Sequence, residues 1–320
     1  MSDKQILAVT GATGAQGGGL ARAVLADKNS PFRVRAITRK RDSEQAKKLI
    51  ALGAEVVTAD LDDVASLERA FAGAWGAFCV TNFWEHFSPE KELAQAGNLS
   101  AAARSAGLKH VIWSTLEDTR KLVPLADERM PTLMGKYKVP HFDAKGEADA
   151  LFVGCVPTTL LATSFYWENL IHFGMGPKRA QDGTLVLSIP MGNARLPGIA
   201  AEDIGKCAYS IFKRGAAYVG KTVAVSGENP TGVEMAAALT KALGERVDYR
   251  PLSFAAYRAL GFPGADDLGN MFQFKHDFQR EFCGPRDPSV ARALNPELQS
   301  FATWLERNAS RIPLEAPVGA

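Results

Sequence analysis

His141 and Lys145 stand four residues apart in the stretch HFDAKGE, and Ser114 lies near the end of the apolar run HVIWSTL. An imidazole can release or take up a proton near neutral pH. A lysine ammonium can hold hydroxyl groups and lower the pKa of an acid beside it. With the serine hydroxyl, these residues form a candidate proton-handling group. For His141 a helix cap or a surface position is the plainer alternative. Lys145 keeps a hydroxyl-holding role even where no proton moves.

A second group binds rather than reacts. In VTGATGAQGGG (9–19), Gly11, Gly14 and Gly17 have GxxGxxG spacing, directly after an apolar run and at the mouth of a helical one. Glycines there let the backbone turn tightly and let a pyrophosphate approach the helix N-terminus, which fits a dinucleotide. The second apolar run ends in Thr38, Arg39, Lys40 and Arg41, with no carboxylate before Asp42. A guanidinium can fork onto a 2′-phosphate and a lysine can add a point charge, so the expected cofactor is NADP(H) rather than NAD(H). An exposed charged loop is the alternative for Lys40 and Arg41 more than for Arg39. Asp60, with the Leu61 backbone, follows the third run at the expected adenine. Thr81, Asn82 and Phe83 follow the fourth, beside the expected ribose and phosphates; for Asp60 and Asn82 a turn-forming role is the alternative.

These residues need a frame. ILAVTG (6–11), RVRAIT (33–38), AEVVTAD (54–60), GAFCVTN (76–82) and HVIWSTL (110–116) are strand-like runs separated by helical stretches, including SEQAKKLIALG, which Gly53 can cap, and Asp63 to Phe71. Strands alternating with helices predict βαβ units and a parallel sheet covered on both faces. The expected fold is α/β, a doubly wound Rossmann sheet with a smaller mixed α/β portion over the cofactor cleft. Asp118 to Pro140 reads as a long loop, followed by a helix from about Phe142 to Phe152 that Lys145 begins, and a strand, TTLLATSFY (158–166). WENLIHF, TLVLSIP, AAEDIGKCAYSIF and KTVAVSG are assigned to the smaller portion. The expected domains are 1–157, binding NADP(H), and 158–320, meeting substrate or partner, with the chain free to re-enter the first.

Taken together these residues resemble the NmrA-like family, an atypical branch of the short-chain dehydrogenase/reductases, and within it the HSCARG-type NADPH-sensing proteins. TGATGAQGG, VRAITRK, GAEVVTADLDD, VTNFWE, GLKHVIWSTLED, HFDAKGE, FYWENL and LGFPGADDLGNMFQF carry the likeness over nearly the whole chain. The resemblance implies dinucleotide contacts at Gly11, Ala12, Thr13, Gly14, Ala15, Gln16 and Gly17, at Arg39, Lys40 and Arg41, at Asp60 and Leu61, at Thr81, Asn82 and Phe83, at Lys145, and at Tyr166, Trp167, Glu168 and Asn169. It sets Tyr166 and Asn169 near the nicotinamide. Short-chain reductases carry a tyrosine four residues before the lysine, where this chain has His141. Ala94 stands where sensor relatives carry a lysine, with Lys91 a turn earlier, and the PLADERMPTLMGKYK stretch lengthens the loop after Asp118.

Composition narrows the partners. The 320 residues are 46% hydrophobic and 22% charged, with 37 basic and 35 acidic residues and a net charge of +2. That balance leaves no electrostatic footprint for nucleic acid or an anionic membrane. The four cysteines form no CxxC pair, which fits a reducing compartment and argues against zinc. The polar start MSDKQ has no signal-peptide core, so the expected location is cytoplasmic, as monomer or homodimer. Three roles stand open: an NADP(H)-binding redox sensor, an NADPH-dependent reductase of a small carbonyl or quinone-type substrate, and a partner-binding module with a structural cofactor.

Overall fold

The computed structural model describes residues 4–314. The first three residues of MSDKQ and the last six of the expected 158–320 portion lie outside the described residues. The chain divides into two compact units. The first runs to Lys121 and takes in Pro140–Thr163 and Glu202–Val223; the second comprises Leu122–Val139, Ser164–Ala201 and the chain from Ala224. The expected boundary at 157/158 thus differs from these units, because the strand after it belongs to the first sheet.

That sheet has seven strands: β1 (Gln5–Val9), β2 (Phe32–Thr38), β3 (Glu55–Thr58), β4 (Gly76–Cys79), β5 (His110–Thr115), β6 (Thr158–Ala162) and β7 (Thr222–Ala224), in the order β7-β6-β5-β4-β1-β2-β3. The pairs from β6 through β3 are parallel. The strands are shorter than the apolar runs that foretold them, since their ends turn into the connections. Helices α1 (Ala15–Ala26), α2 (Glu44–Ala51), α3 (Val64–Phe71), α4 (Pro89–Ser105), α5 (Pro140–Phe152) and α6 (Ala201–Arg214) accompany them. Their starts are encoded locally: the side chains of Ser43, Asp63 and Ser88 accept the N–H groups of Ala46, Ser66 and Lys91.

On one face Phe71, Leu99, Trp113 and Phe152 are fully buried. The Trp113 and Phe152 rings stack at 4.7 Å; truncating such a ring to alanine costs about 3–5 kcal/mol. On the other face α1 lies against α6. A Cβ on Gly19 would sit 2.8 Å from the Glu202 backbone, and one on Gly205 only 2.0 Å from Leu20 N. Bare backbone at both positions permits that approach.

Three expectations are corrected here. The run 158–166 is not one strand: Thr158–Ala162 joins β5, while Phe165–Tyr166 pairs with Gly198–Ile199 in the second unit, because each half bonds a different neighbour. AAEDIGKCAYSIF returns to the first unit from Glu202 on as α6, and the start of KTVAVSG joins the first sheet as β7, with the chain from Ala224 in the second unit. The helix bearing Lys145 starts at Pro140, whose fixed φ suits a first helical position, so Lys145 lies inside α5 and does not begin it.

In the second unit, Leu185–Leu187 pairs antiparallel with Lys178–Arg179 and parallel with Val247–Tyr249. The segment 122–139, expected as a loose loop, is stapled within this unit. Asn270 Nδ2 donates to the carbonyls of Pro131 (2.9 Å) and Lys138 (2.6 Å), and Gln273 Nε2 to that of Arg129 (2.8 Å). Buried Lys138 donates to the carbonyls of Asp127 and Met130, both at 2.7 Å.

Candidate functional site

The turn after β1 is built for a close ligand. The Thr10 hydroxyl accepts the Val80 N–H at 2.9 Å, tying the turn to the end of β4. Gly11 takes φ 59°, and its carbonyl accepts the Gly14 N–H at 2.9 Å. A Cβ on Gly17 would lie 2.5 Å from the Thr10 carbonyl, so the turn closes only over glycine. Gly14 caps α1 with no side-chain acceptor, and the first turn has no acidic residue. The helix therefore presents N–H groups and its positive dipole end to an anion. Gly11, Gly14 and Ala15 are exposed while Ala12, Gln16 and Gly17 are buried. Buried Ser114 donates to Gln16 Oε1 at 2.8 Å, so the serine steadies the glycine turn. Beside the turn a cavity of about 340 Å³ reaches Arg22 and Lys48.

Arg39 leaves the end of β2 with its guanidinium forked onto Glu85; Nη1 meets Oε1, and Nη2 donates to Oε2 at 2.9 Å. The pair holds the Glu85 carboxyl below the usual range, and Arg39 is correspondingly raised. Lys40 and Arg41 are exposed. Asp60 lies beyond β3 and makes a turn, its carboxylate accepting the Asp62 N–H at 3.0 Å. The Leu61 carbonyl accepts Asn98 Nδ2 at 2.8 Å. Lys91, a turn before Ala94, pairs with Asp62 at 2.9 Å.

Around Lys145 the arrangement is tighter. Nζ donates to Thr81 Oγ1 at 2.8 Å and lies 2.9 Å from Glu92 Oε1. The Thr81 hydroxyl itself donates to that carboxylate oxygen at 2.5 Å. Glu92 has no side-chain exposure. Its other oxygen lies 3.5 Å from His86 Nε2, and His86 Nδ1 accepts the Ser88 N–H, which puts the ring proton on Nε2. The ammonium also lies 5.0 Å over the Trp113 ring.

His141, one turn earlier on α5, is 5% exposed. Its ring sits 4.7 Å from Trp84, 4.8 Å from Phe142 and 5.9 Å from Phe83. Asn82 is exposed where the single turn Phe83–Glu85 begins. Asp143, between His141 and Lys145 in sequence, accepts the Thr119 N–H (2.8 Å) and hydroxyl (2.5 Å), anchoring the chain after β5. So Ser114 is joined to Gln16, and Lys145 to Thr81 and Glu92.

The residues 166–169 belong to the second unit. Tyr166 is half-buried in its short strand. Trp167 is fully buried and packs on Phe301 and Trp304, at 5.4 and 6.2 Å. Glu168 accepts the Ala201 N–H at 3.0 Å and Trp304 Nε1 at 3.1 Å. Asn169 opens the helix Asn169–His172.

Glu92, Glu85 and Asp143 escaped the sequence reading. Glu92 had a signal: it stands on the stripe of Ala96, Leu99 and Ala103, all buried, and a carboxylate there needs a cation. Glu85 and Asp143 had none. Among the described residues, no three His, Cys, Asp or Glu side chains gather as metal ligands would, and no helix is long and apolar enough to cross a membrane.

The model of the NmrA-like family matches residues 3–305. The NmrA-like family domain-containing oxidoreductase FrzB of Cladobotryum sp is 29% identical over 306 residues, covering 89% of this chain and 88% of the relative. The crystal structure of NmrA, a negative transcriptional regulator, in complex with NADP has a TM-score of 0.75 at 24% identity, covering 96% of this chain and 94% of that one. The triphenylmethane reductase of Citrobacter sp., complexed with NADP(H), has a TM-score of 0.73 at 21% identity, covering 95% and 99%. At these identities the two structures share the fold with this chain.

Proposed function

The chain belongs to the NmrA-like family, and on that premise we propose that it is an NADP(H)-binding regulator that responds to dinucleotide state. The glycine turn at Gly11, Gly14 and Gly17 suits the pyrophosphate, and Arg39 with Lys40 and Arg41 suits the 2′-phosphate. Lys145 has three N–H donors; two meet Thr81 Oγ1 and Glu92, and the third makes a long 3.5 Å bond to the Thr81 carbonyl that suits exchange for a ribose hydroxyl. NADPH, when bound, supplies a hydride.

What favours regulation over turnover is the pairing of Lys145 with Glu92. A lysine assists an acid four residues away through its positive charge, and a buried carboxylate at 2.9 Å cancels much of that charge. The acid position is held by His141, enclosed by aromatic rings. A sensor needs two conformations that differ in affinity for the two dinucleotide states.

The second reading is an NADPH-dependent reductase of a small carbonyl or quinone-type substrate. It is favoured by relatives of similar length named as oxidoreductases. One experiment separates the two. NADPH oxidation is followed by absorbance against quinones, aldehydes and enones, while protease sensitivity and oligomeric state are compared with NADPH, NADP⁺ and no dinucleotide. The sensor reading expects no turnover and a dinucleotide-dependent change of conformation. Turnover lost in His141→Ala or Lys145→Ala would transfer the case to the reductase. No conformational response at all would sink the sensor.

A further inference from the structure

The fork between Arg39 and Glu85 occupies the group that the NADP(H) reading assigns to the 2′-phosphate. The Nη1–Nη2 edge of Arg39 that forks onto Glu85 serves one oxyanion at a time, whether carboxylate or phosphate. We propose that Glu85 is the internal stand-in for the cofactor 2′-phosphate, so that only a dinucleotide carrying that phosphate displaces it. Glu85 is then a specificity-determining residue, and the proposal rests on the NADP(H)-binding reading above.

The place of Glu85 gives its release a consequence. It ends the single turn Phe83–Glu85, closed by the His86 and Phe87 N–H groups on the Phe83 carbonyl at 3.1 and 2.8 Å. Phe87 holds φ 54°, a left-handed conformation that costs a bulky side chain free energy. Such a turn shifts as one piece. Trp84, one residue before Glu85, lies against His141 at 4.7 Å, and His86, one residue after, faces Glu92 at 3.5 Å. Glu92 in turn holds Lys145. Phosphate on Arg39 thereby acts, through Glu85, on the setting of both His141 and Lys145. NADH meets the same glycine turn and the same Lys145 without breaking the fork, so it leaves the turn where it is. The chain then distinguishes the two dinucleotides by conformation as well as by affinity.

The test is a double-mutant cycle on the full chain. Dissociation constants for NADPH and NADH are measured by calorimetry for the wild type, Glu85→Gln, Arg39→Ala and the double variant. Glu85→Gln is expected to tighten NADPH about fivefold, the span for freeing one exposed ion pair, and to leave NADH unchanged. In the Arg39→Ala background the same substitution is expected to change nothing. NADPH, but not NADH, is expected to alter tryptophan emission in the wild type, and Trp84→Phe is expected to remove that difference. Weaker or unchanged NADPH binding in Glu85→Gln overturns the proposal while the NADP(H) reading stands. A gain that persists without Arg39 also overturns it, since general repulsion by Glu85 would then suffice. A wild type that binds no NADPH overturns the reading and the proposal together.

Discussion

Lys145 Nζ lies 2.9 Å from the Glu92 carboxylate, and neither group can reach bulk water freely: Glu92 has no side-chain exposure and Lys145 has 11%. Removing one partner leaves a buried charge alone, which costs about 3–5 kcal/mol. Glu92→Gln and Lys145→Met are each expected to lower the unfolding free energy by that amount, read as a lower urea midpoint with the slope unchanged. The double variant is expected to recover most of the loss, because no lone charge remains. Additive losses would show that the pair does not interact.

Buried His110 and half-buried Asp149 should oppose each other in the pH dependence of stability. Burial in β5 pushes His110 from 6.5 to about 4. The unfolded chain then binds more protons than the folded one between those values, so this group's contribution falls as pH drops from 6.5 through 4. Asp149 is pushed from 3.8 up to about 6, mainly by burial and despite the hydrogen bond from Thr115 that lowers it. Here the folded chain binds the extra proton, so stability falls as pH rises from 3.8 through 6. The wild type is expected to be nearly flat over the overlap. His110→Gln should lose stability as pH rises there, and Asp149→Asn should gain it, each by at most about 1.4 kcal/mol per pH unit. Melting temperatures across the window check both signs.

Gly14 and Gly17 should fail in different ways. A Cβ on Gly17 meets the Thr10 and Gly11 backbone at 2.5–2.6 Å, and backbone cannot swing aside. Gly17→Ala is expected to cost about 3 kcal/mol or more in unfolding free energy. A Cβ on Gly14 meets only the Gly11 carbonyl, at 3.3 Å, and φ there is −96°, open to any residue. Gly14→Ala should therefore fold near wild-type stability yet weaken NADPH about tenfold or more, since the methyl fills the space a pyrophosphate needs.

Much of the first unit is legible because its signals are local. Continuous apolar runs mark the strands, Ser43, Asp63 and Ser88 mark helix starts, and the glycine spacing marks the turn. What escaped depends on distant residues. Glu92 sits in PEKELAQ, where its neighbours Glu90 and Lys91 are exposed; it is buried because Thr81 and Lys145 meet it there. Asp60 shows the turn-forming use that its sequence position also offered, one carboxylate oxygen accepting the Asp62 N–H. The three residues of β7 are too few to show a period, and α6 carries no mark of which unit it joins. In the second unit, Asn270 and Gln273 look like polar interruptions of an apolar helix until the carbonyls of Arg129, Pro131 and Lys138 are brought to them.

His141→Tyr would recreate the tyrosine–lysine spacing of short-chain reductases, and it is expected not to recreate their chemistry. The imidazole lies within 4.7–5.9 Å of three aromatic rings and is 5% exposed, so a phenol overfills the space by about 1–3 kcal/mol. Glu92 balances the Lys145 charge, so the new phenol is expected to ionise near its ordinary value of about 10. His141→Tyr is expected to give no gain in NADPH oxidation over its His141 parent. Adding Glu92→Gln removes the balancing carboxylate, and the phenol should then ionise at least about one pH unit lower. Ultraviolet difference titration of tyrosinate, taken against the matching His141 parent, reads that shift, and NADPH oxidation reads its consequence. If His141→Tyr alone turned over NADPH where its His141 parent did not, Glu92 would not be the brake.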